Sequence, residues 1–240
     1  MWTWLRKRVG RALPTSFWEK FVAHAALAQQ FSAIYATKKY DGREQLWDEC
    51  VERVGKRTPV LFLEFGVWKG YSLKYFSDRL DNPLSRFLGF DSFKGLPEDW
   101  GHMGSGTFDV SGAMPETSDS RVRFVDGWFQ NTTVDAVKIA KAAFQNDPTV
   151  IVHLDADLYS STLFVLCRLY AEFDEYYFIF DEFTTHECRA LLNFMQSHGA
   201  NVTFYSYTGQ SFPCQVFGKI SNCANLYDPN KNGLVDTVKP

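Results

Sequence analysis

Five apolar runs of strand length, each with an acidic residue within one position of its end, constrain the fold of this chain most strongly. The runs cover residues 60–65, 87–90, 122–125, 150–154 and 176–180, and segments with helical periodicity separate them. Near-continuous apolar strands that alternate with helices are typical of a parallel sheet covered on both faces. Two further runs, 202–206 and 214–220, follow each other without a helix and predict an antiparallel pair. The sequence therefore predicts an α/β fold with a mostly parallel, seven-stranded sheet, an antiparallel end strand and helices on both faces.

The domain organisation follows from the position of these runs. A chain of 240 residues is long enough for one large domain. We expect an N-terminal helical extension over residues 1–57, the α/β domain over 58–221 and a C-terminal tail over 222–240. Residues 92–121 interrupt the alternation of strands and helices and contain Trp100 and Phe108. Long irregular insertions in compact domains are usually functional, so we expect a substrate lid there.

Composition excludes several classes of function. The formal net charge is −3, whereas a dedicated nucleic-acid-binding protein would show a basic excess. No run of 18 or more apolar residues is present, so we expect no transmembrane segment. The five cysteines form no CxxC pair, which is typical of reduced thiols and predicts a cytoplasmic protein.

The N-terminal segment allows two interpretations. Residues 1–14 carry Arg6, Lys7, Arg8 and Arg11 among apolar and aromatic residues. Such a segment could form a basic amphipathic helix that touches an anionic membrane surface. The alternative, a solvated terminal helix, is the interpretation that we favour. The apolar stretch 21–35 that follows could serve a homodimer interface.

The first apolar run leads into a turn that contains two glycines. Gly66 and Gly70 follow Glu64 and permit a tight turn with close approach of the backbone to a ligand. Trp68 stands where a dinucleotide fingerprint would need a glycine, which favours a ligand without phosphates at this turn. Asp91 ends the next strand, where an acid can bind a ribose diol. Together these features predict a nucleoside site, whereas the glycines alone would indicate an ordinary turn.

The densest acidic cluster follows the fourth and fifth runs. Asp155 and Asp157 come after the fourth run, and Asp181 and Glu182 come after the fifth. Because adjacent parallel strands lie about 4.8 Å apart, these four carboxylates should crowd one region. Like charges at that distance raise each other's pKa or recruit a cation, and a hard divalent ion such as Mg²⁺ prefers oxygen ligands. Helix capping by Asp181 and a surface position for Asp157 are the alternatives.

Six segments of the chain resemble the macrocin O-methyltransferase family. They are LEFGVWKGYS, FLGFDSFKGLPEDW, GTFD, VRFVDGWFQNT, HLDADLYSST and FIFDEF, within residues 59–194. The resemblance implies a Rossmann-like class I methyltransferase fold and an S-adenosylmethionine-dependent, Mg²⁺-dependent O-methyltransferase. The family includes sugar O-methyltransferases of antibiotic pathways. The resemblance therefore implies an acceptor hydroxyl on a saccharide or another vicinal diol, in a natural product or glycan.

The resemblance also implies roles for individual residues. The cofactor-binding positions are Glu64, Gly66 and Gly70 for the methionine and ribose portion, Asp91 and Ser92 for the ribose hydroxyls, and Asp126, Gly127 and Trp128 for the adenine. The metal ligands would be Asp155, Asp181 and Glu182, although the family often has a second aspartate where Glu182 stands. Asp157 matches the general base, which takes the acceptor proton. His153 and His186 are rival bases, but a histidine in or beside a buried strand is more often structural.

Two other interpretations compete with this one. An Asp-x-Asp pattern at 155–157 also occurs in metal-dependent glycosyltransferases, where it holds a metal against a sugar-nucleotide diphosphate. That function would leave the glycine turn and the second acidic pair without a role, and it would need basic residues near the phosphates. A non-catalytic module that only binds the cofactor is the third alternative, and it predicts the loss of some of the four acids.

Overall fold

The computed structural model describes residues 15–221, with side chains from residue 17 onward. The predicted basic segment 1–14 and the predicted tail 222–240 lie outside the described residues. The helices of the described range are α1 (Thr15–Gln29), a short 3₁₀ helix (Ser32–Ala36), α2 (Arg43–Val54), α3 (Tyr71–Arg79), α4 (Phe129–Lys141), α5 (Tyr159–Tyr170) and α6 (His186–His198). None of the helices in residues 15–221 is long and apolar enough to cross a bilayer.

The strands form one sheet that confirms the predicted α/β class. They are β1 (Lys38–Tyr40), β2 (Val60–Phe65), β3 (Arg86–Asp91), β4 (Val122–Asp126), β5 (Thr149–Leu154), β6 (Glu175–Phe180), β7 (Asn201–Thr208) and β8 (Val216–Ser221). Their spatial order is β1-β7-β8-β6-β5-β2-β3-β4. Neighbouring strands are parallel except where β8 pairs with β6 and with β7.

Two details of the predicted sheet were wrong. The sheet has eight strands rather than seven, because β1 lies within the predicted helical extension and pairs with β7. This strand has three residues, and Lys38 and Lys39 are exposed, so it leaves no apolar run in the sequence. The antiparallel strand β8 also lies inside the sheet, between β6 and β7, rather than at its end.

The two faces of the sheet bury different sets of helices. Val60 and Phe62 of β2 pack in one cluster with the apolar residues of α2 and α3. Leu61, Leu63 and Phe65 pack in a second cluster with α1, α4, α5 and α6. This division follows from the alternation of side chains along a strand. Glu64 has the same parity as Val60 and Phe62, so its carboxylate points toward α2 and α3.

The insertion 92–121 folds over the ends of the strands. Isolated bridges join Lys94 to Asp109 and Trp100 to Met103, so part of the insertion runs back along itself. Its tip is linked to α5, where the Ser160 hydroxyl donates a hydrogen bond of 2.6 Å to Oε1 of Glu98. The insertion is therefore ordered against the sheet edge that carries the acidic residues.

Strand β8 fits between β6 and β7 because Gly218 has no side chain. A Cβ atom at Gly218 would overlap the carbonyl oxygen of Thr203 and the ring of Phe178. We expect Gly218→Ala to lower the free energy of unfolding by about 1–3 kcal/mol, since extra volume strains a packed interior. Urea denaturation would measure the change. Gly104→Ala is the control, because the nearest atom to its added Cβ lies 3.9 Å away. Equal stability of both variants would contradict the proposed crowding at β8.

Candidate active site

A cavity of about 240 Å³ lies at the carboxyl ends of β2, β3, β5 and β6, under the insertion. Parallel α/β sheets bind their ligands at this edge. The cavity walls combine the glycine turn after β2, acidic residues after β3, β5 and β6, and aromatic residues from the insertion. The lining residues used below are Gly66, Trp68, Asp91, Ser92, Trp100, Phe108, Trp128, Asp155, Asp157, Asp181 and Glu182. None of the lining residues in the described range is Lys or Arg.

Asp91 ties the glycine turn to the end of β3. Its Oδ2 accepts backbone hydrogen bonds from Val67 at 2.9 Å and from Trp68 at 2.8 Å. Its Oδ1 accepts one from the backbone N–H of Phe93 at 2.8 Å. Each carboxylate oxygen keeps further acceptor capacity. Asp91 therefore shapes the cavity wall and can still accept a hydrogen bond from a ligand hydroxyl.

Gly66 brings the turn after β2 against the turn after β5. Its φ angle is 94°, in the region that favours glycine. A Cβ atom there would overlap the carbonyl oxygen of Asp155. Residue 66 must therefore lack a side chain if the glycine turn and the acidic cluster are to share one wall of the cavity.

Burial and mutual repulsion raise the pKa values of several carboxyl groups in the cluster. For Asp157, desolvation and the charges of Glu182, Asp181 and Asp91 raise the pKa to about 7. Desolvation followed by the charge of Asp181 raises the pKa of Asp155 and of Glu182. Like charges in a partly dry site produce this effect, and the predicted crowding of the acids is confirmed.

A buried histidine offsets part of this repulsion. His153 and Glu64 are register partners on β5 and β2, and Nδ1 of His153 lies 2.7 Å from Oε1 of Glu64. Its Nε2 lies 3.9 Å from Oδ1 of Asp181, a distance typical of an ion pair rather than a hydrogen bond. Burial opposes protonation of His153, but Asp181 and Glu64 outweigh it and raise the pKa to about 10.

The contact with His153 lowers the pKa of Asp181. Burial alone would raise that pKa, but the interaction with His153 outweighs it. Asp181 therefore has a lowered pKa, whereas the pKa values of Asp155, Asp157 and Glu182 are raised. One of its oxygens, Oδ1, is buried and accepts no hydrogen bond in the described part of the chain.

Glu187 is a further member of this cluster, and its sequence pattern did not indicate that role. The pattern of Thr184 and Glu187 predicts a capping box, but α6 begins at His186 and the box does not form. Instead, Oε2 of the fully buried Glu187 accepts a hydrogen bond of 3.0 Å from the backbone N–H of Glu182. Desolvation and the charges of Asp155, Asp181 and Asp157 raise the pKa of Glu187 well above its usual value. A Thr-x-x-Glu pattern at a helix start indicates capping, and it does not indicate that the glutamate will instead hold the backbone of Glu182.

The structure brings eight of the twelve predicted site residues to the cavity. They are Gly66, Asp91, Ser92, Trp128, Asp155, Asp157, Asp181 and Glu182. The other four do not line it, namely Glu64, Gly70, Asp126 and Gly127. Glu64 is fully buried on the α2–α3 face and contacts His153 and the Ser72 hydroxyl. It therefore lies beneath the cavity rather than in its lining. His153 and His186 do not line the cavity either.

The carboxylates do not form a closed metal site as they stand. Within residues 15–221, no group of three His, Cys, Asp or Glu side chains has the arrangement that holds a metal ion. The donor chemistry nevertheless fits a hard cation, because Asp155, Asp181 and Glu182 offer only oxygen atoms and share one wall. Oδ1 of Asp181 accepts no hydrogen bond within the described residues, and its neighbour is Nε2 of His153 at 3.9 Å.

Comparison with known proteins supports the interpretation of the motifs. Residues 113–204 match the model of a family described as macrocin-O-methyltransferase (TylF). This match confirms the inferred resemblance and the prediction that the chain is a methyltransferase. It also supports the coarser prediction of an S-adenosylmethionine-dependent O-methyltransferase. Comparison with curated protein sequences gives no match.

Solved structures with a similar course of the chain include two O-methyltransferases. One is the O-methyltransferase from Bacillus cereus, whose structure contains S-adenosylhomocysteine. It is 12% identical to this chain, and the alignment covers 85% of this chain and 90% of that chain with a TM-score of 0.46. The other is TomG from Streptomyces achromogenes, in complex with S-adenosylmethionine, with 12% identity, coverage of 85% and 89%, and a TM-score of 0.45. At these TM-scores, the similarity carries no argument about activity or substrate.

The three backbone hydrogen bonds to Asp91 predict a structural cost for its removal. We expect Asp91→Ala to lower the free energy of unfolding by about 2–4 kcal/mol, since three donors lose a charged acceptor. Asp126→Ala is the matched control, because Asp126 is the register partner of Asp91 at the end of β4 and is exposed. The control should stay within about 0.5 kcal/mol of the unmodified protein. Chemical denaturation distinguishes the two outcomes, and a similar small effect for both variants would rule out the bracing role of Asp91.

Proposed function

We propose that the cavity binds S-adenosylmethionine and transfers its methyl group to a hydroxyl of a saccharide or another vicinal diol, with help from Mg²⁺. The observation that carries this proposal is the meeting of two features at one sheet edge. The glycine turn, Asp91 and the acidic cluster all line this one cavity, and Gly66 lies against the backbone of Asp155. A nucleoside donor and a metal-bound acceptor need this adjacency, because methyl transfer requires both reactants in line.

The cofactor would lie against the glycine turn. Gly66 leaves room beside the backbone, and Asp91 can accept hydrogen bonds from ribose hydroxyls while it holds the turn. Ser92 and Trp128 line the same part of the cavity, and the exposed indole of Trp128 offers a flat surface for adenine. Gly70, Asp126 and Gly127 would act only through the shape of the turns, since their atoms do not line the cavity.

Asp155, Asp181 and Glu182 are the residues that would hold the cation. His153 keeps Asp181 anionic, and Glu187 holds the backbone of Glu182 in place. When bound, Mg²⁺ would supply a lower pKa for an acceptor hydroxyl that it coordinates. An alkyl hydroxyl needs this help because it is hardly ionised near neutral pH.

Asp157 would take the proton from the acceptor hydroxyl. It lines the cavity beside the other acids, and its raised pKa of about 7 is near the value that suits a general base at neutral pH. In the reaction, the acceptor oxygen forms a bond to the methyl carbon while the carbon–sulfur bond breaks. The hydroxyl proton passes to the carboxylate of Asp157, and the electron pair of the broken bond stays on sulfur.

A saccharide acceptor is supported by the walls of the cavity. Trp68, Trp100 and Phe108 line it, and aromatic faces pack against the C–H faces of sugar rings. The acidic cluster that lines the same cavity suits an acceptor that presents two neighbouring oxygens to a cation. The lack of Lys and Arg among the lining residues of the described range disfavours a glycosyltransferase, since its donor carries a diphosphate.

A cytoplasmic location belongs to the same proposal. The described cysteines Cys50, Cys167, Cys188 and Cys214 are free, and free thiols are typical of a reducing compartment.

Thermal unfolding in the presence of ligands tests the proposed donor. We expect S-adenosylhomocysteine at a hundredfold excess over its Kd to stabilise the protein by about 2.7 kcal/mol. UDP and GDP should give no shift, because the cavity lacks basic groups for phosphates. Stabilisation by UDP or GDP, without any by S-adenosylhomocysteine, would overturn the proposal in favour of a glycosyltransferase. Removal of divalent ions with EDTA should abolish turnover and leave the S-adenosylhomocysteine shift unchanged.

Asp157→Asn tests the proposed base. We expect the variant to bind S-adenosylhomocysteine normally but to lower kcat by about 10²–10⁴-fold, since the amide cannot take the proton. Asp135→Asn is the control, because that carboxylate is exposed on α4 and lies outside the cavity. Single-turnover methyl transfer would measure both variants. Full kcat in Asp157→Asn would show that another group removes the proton.

A further inference from the structure

We propose that Glu187 and Gln215 are positioning residues that hold the backbone of the turn 181–183. This turn carries Asp181 and Glu182, two of the three residues proposed to bind the cation. The inference rests on the proposed function and adds to it the residues that fix the shape of the cation site. Neither Glu187 nor Gln215 lines the cavity, so both would act through the turn and would not touch the cation, the donor or the acceptor.

The turn 181–183 begins where the strand pairing of β6 ends. The last register pairs of β6 join Phe180 to Leu154 of β5 and to Val216 of β8. The N–H of Asp181 still donates to the carbonyl oxygen of Leu154 at 2.9 Å, but the groups that follow lie outside the paired strands. Backbone groups in a partly buried place need hydrogen-bond partners, so the turn depends on groups from elsewhere in the chain.

Glu187 holds the middle of the turn from α6. Its Oε2 accepts a hydrogen bond of 3.0 Å from the backbone N–H of Glu182. The side chain is fully buried, and its Oε1 accepts no hydrogen bond within residues 15–221. An apolar side chain of the same size would avoid the cost of burying an unpartnered carboxyl oxygen. The hydrogen bond to Glu182 therefore explains a glutamate at this position better than the packing of α6 does.

Gln215 holds the start of the turn from the chain just before β8. Its Nε2 donates a hydrogen bond of 2.8 Å to the carbonyl oxygen of Asp181. Thr208, at the end of β7, fixes the orientation of this amide. The Thr208 hydroxyl donates to Oε1 of Gln215 and accepts a hydrogen bond of 3.1 Å from the backbone N–H of Gln215. The amide nitrogen is therefore left facing Asp181.

The loop between β7 and β8 supports Gln215. The N–H of Cys214 donates to the carbonyl oxygen of Thr208 at 2.8 Å, and the carbonyl oxygen of Cys214 accepts a hydrogen bond of 2.7 Å from the N–H of Phe183. Gly209 has a φ angle of 115°, and a Cβ atom there would overlap the backbone of the same loop. The loop is thus tightly closed, and it is joined to the turn by its backbone as well as by Gln215.

The two contacts fix the backbone from which Asp181 and Glu182 project. Within the described chain, the carboxylates form no closed metal site, so their side chains must still turn to reach a cation. A held backbone restricts this change to the side chains, whereas a loose turn would add the entropy cost of ordering the backbone. Partners that orient metal ligands typically change metal affinity by about 10–100-fold. Loss of either contact should therefore weaken cation binding although no ligand atom is removed.

Titration with Mn²⁺, a divalent ion that also suits oxygen ligands, tests the proposal without catalysis. Electron paramagnetic resonance of free Mn²⁺ gives the Kd of the full chain, with no donor or acceptor present. We expect Glu187→Met and Gln215→Met to raise this Kd by about 10–100-fold, since each keeps a side chain of similar length but loses the hydrogen bond to the turn. Glu187→Gln should stay within about threefold of the unmodified protein, because its amide oxygen can accept the same hydrogen bond.

Cys188→Ala is the matched control for lost stability. Cys188 is the next residue on α6 and is fully buried, but its Sγ lies 3.8 Å from the carbonyl oxygen of Ala23 on α1. Its truncation leaves a cavity and lowers the midpoint of urea unfolding, yet the Kd for Mn²⁺ should not change. Amide hydrogen exchange at Glu182 should become faster in Glu187→Met and stay unchanged in Cys188→Ala.

The outcomes separate this proposal from the proposed function. Unchanged Mn²⁺ affinity in Glu187→Met and Gln215→Met would overturn the positioning role and leave the proposed function standing. These variants remove different hydrogen bonds, so either of them decides the outcome if circular dichroism shows that the other is unfolded. An equal loss of affinity in Glu187→Met and Glu187→Gln would also overturn the role, because the charge of Glu187 would then be what acts on the cation. Absence of Mn²⁺ binding by the unmodified protein, or binding that survives Asp181→Asn, would refute the cation site itself and this inference with it.

Discussion

The site depends on how this protein keeps several carboxylates together in a partly buried place. Asp155, Asp157, Asp181 and Glu182 share one cavity, and Glu187 lies buried behind them. Like charges that share a site repel strongly when water is excluded. Two features of the protein reduce this repulsion. Some of the acids shift their pKa upward, and a buried His153 places a positive charge next to Asp181.

Much of the fold could be predicted because the burial of a parallel sheet on both faces produces apolar runs that are visible in the sequence. A strand buried on both faces must be almost continuously apolar, so β2, β3, β5 and β6 stand out in the sequence. The three-residue β1 carries Lys38 and Lys39 at an edge, so no pattern marks it. The place of β8 between β6 and β7 depends on long-range pairing, which no local pattern shows.

The site was predictable in position but only partly in detail. Acids at strand ends indicate the right edge, and they locate Asp91, Asp155 and Asp181 correctly. Glu64 looks like another such acid, but the strand continues one residue further and the alternation of side chains turns Glu64 into the interior. Its contact with His153 depends on the register between β2 and β5. The backbone donors that surround Asp91 likewise become visible only in three dimensions.

Three residues of the cavity wall have unusual backbone conformations. The insertion 92–121 that covers the cavity contacts α5 through a side-chain hydrogen bond at its tip. Trp68, Phe108 and Asp157 all have positive φ angles and all line the cavity, a conformation that costs of order 1–3 kcal/mol per residue. By contrast, the tip of the insertion is joined to α5 by a water-exposed hydrogen bond between Ser160 and Glu98. Breaking such a bond costs only about 1 kcal/mol. Breaking this contact between the insertion and α5 therefore costs less than the backbone strain that the three wall residues hold together.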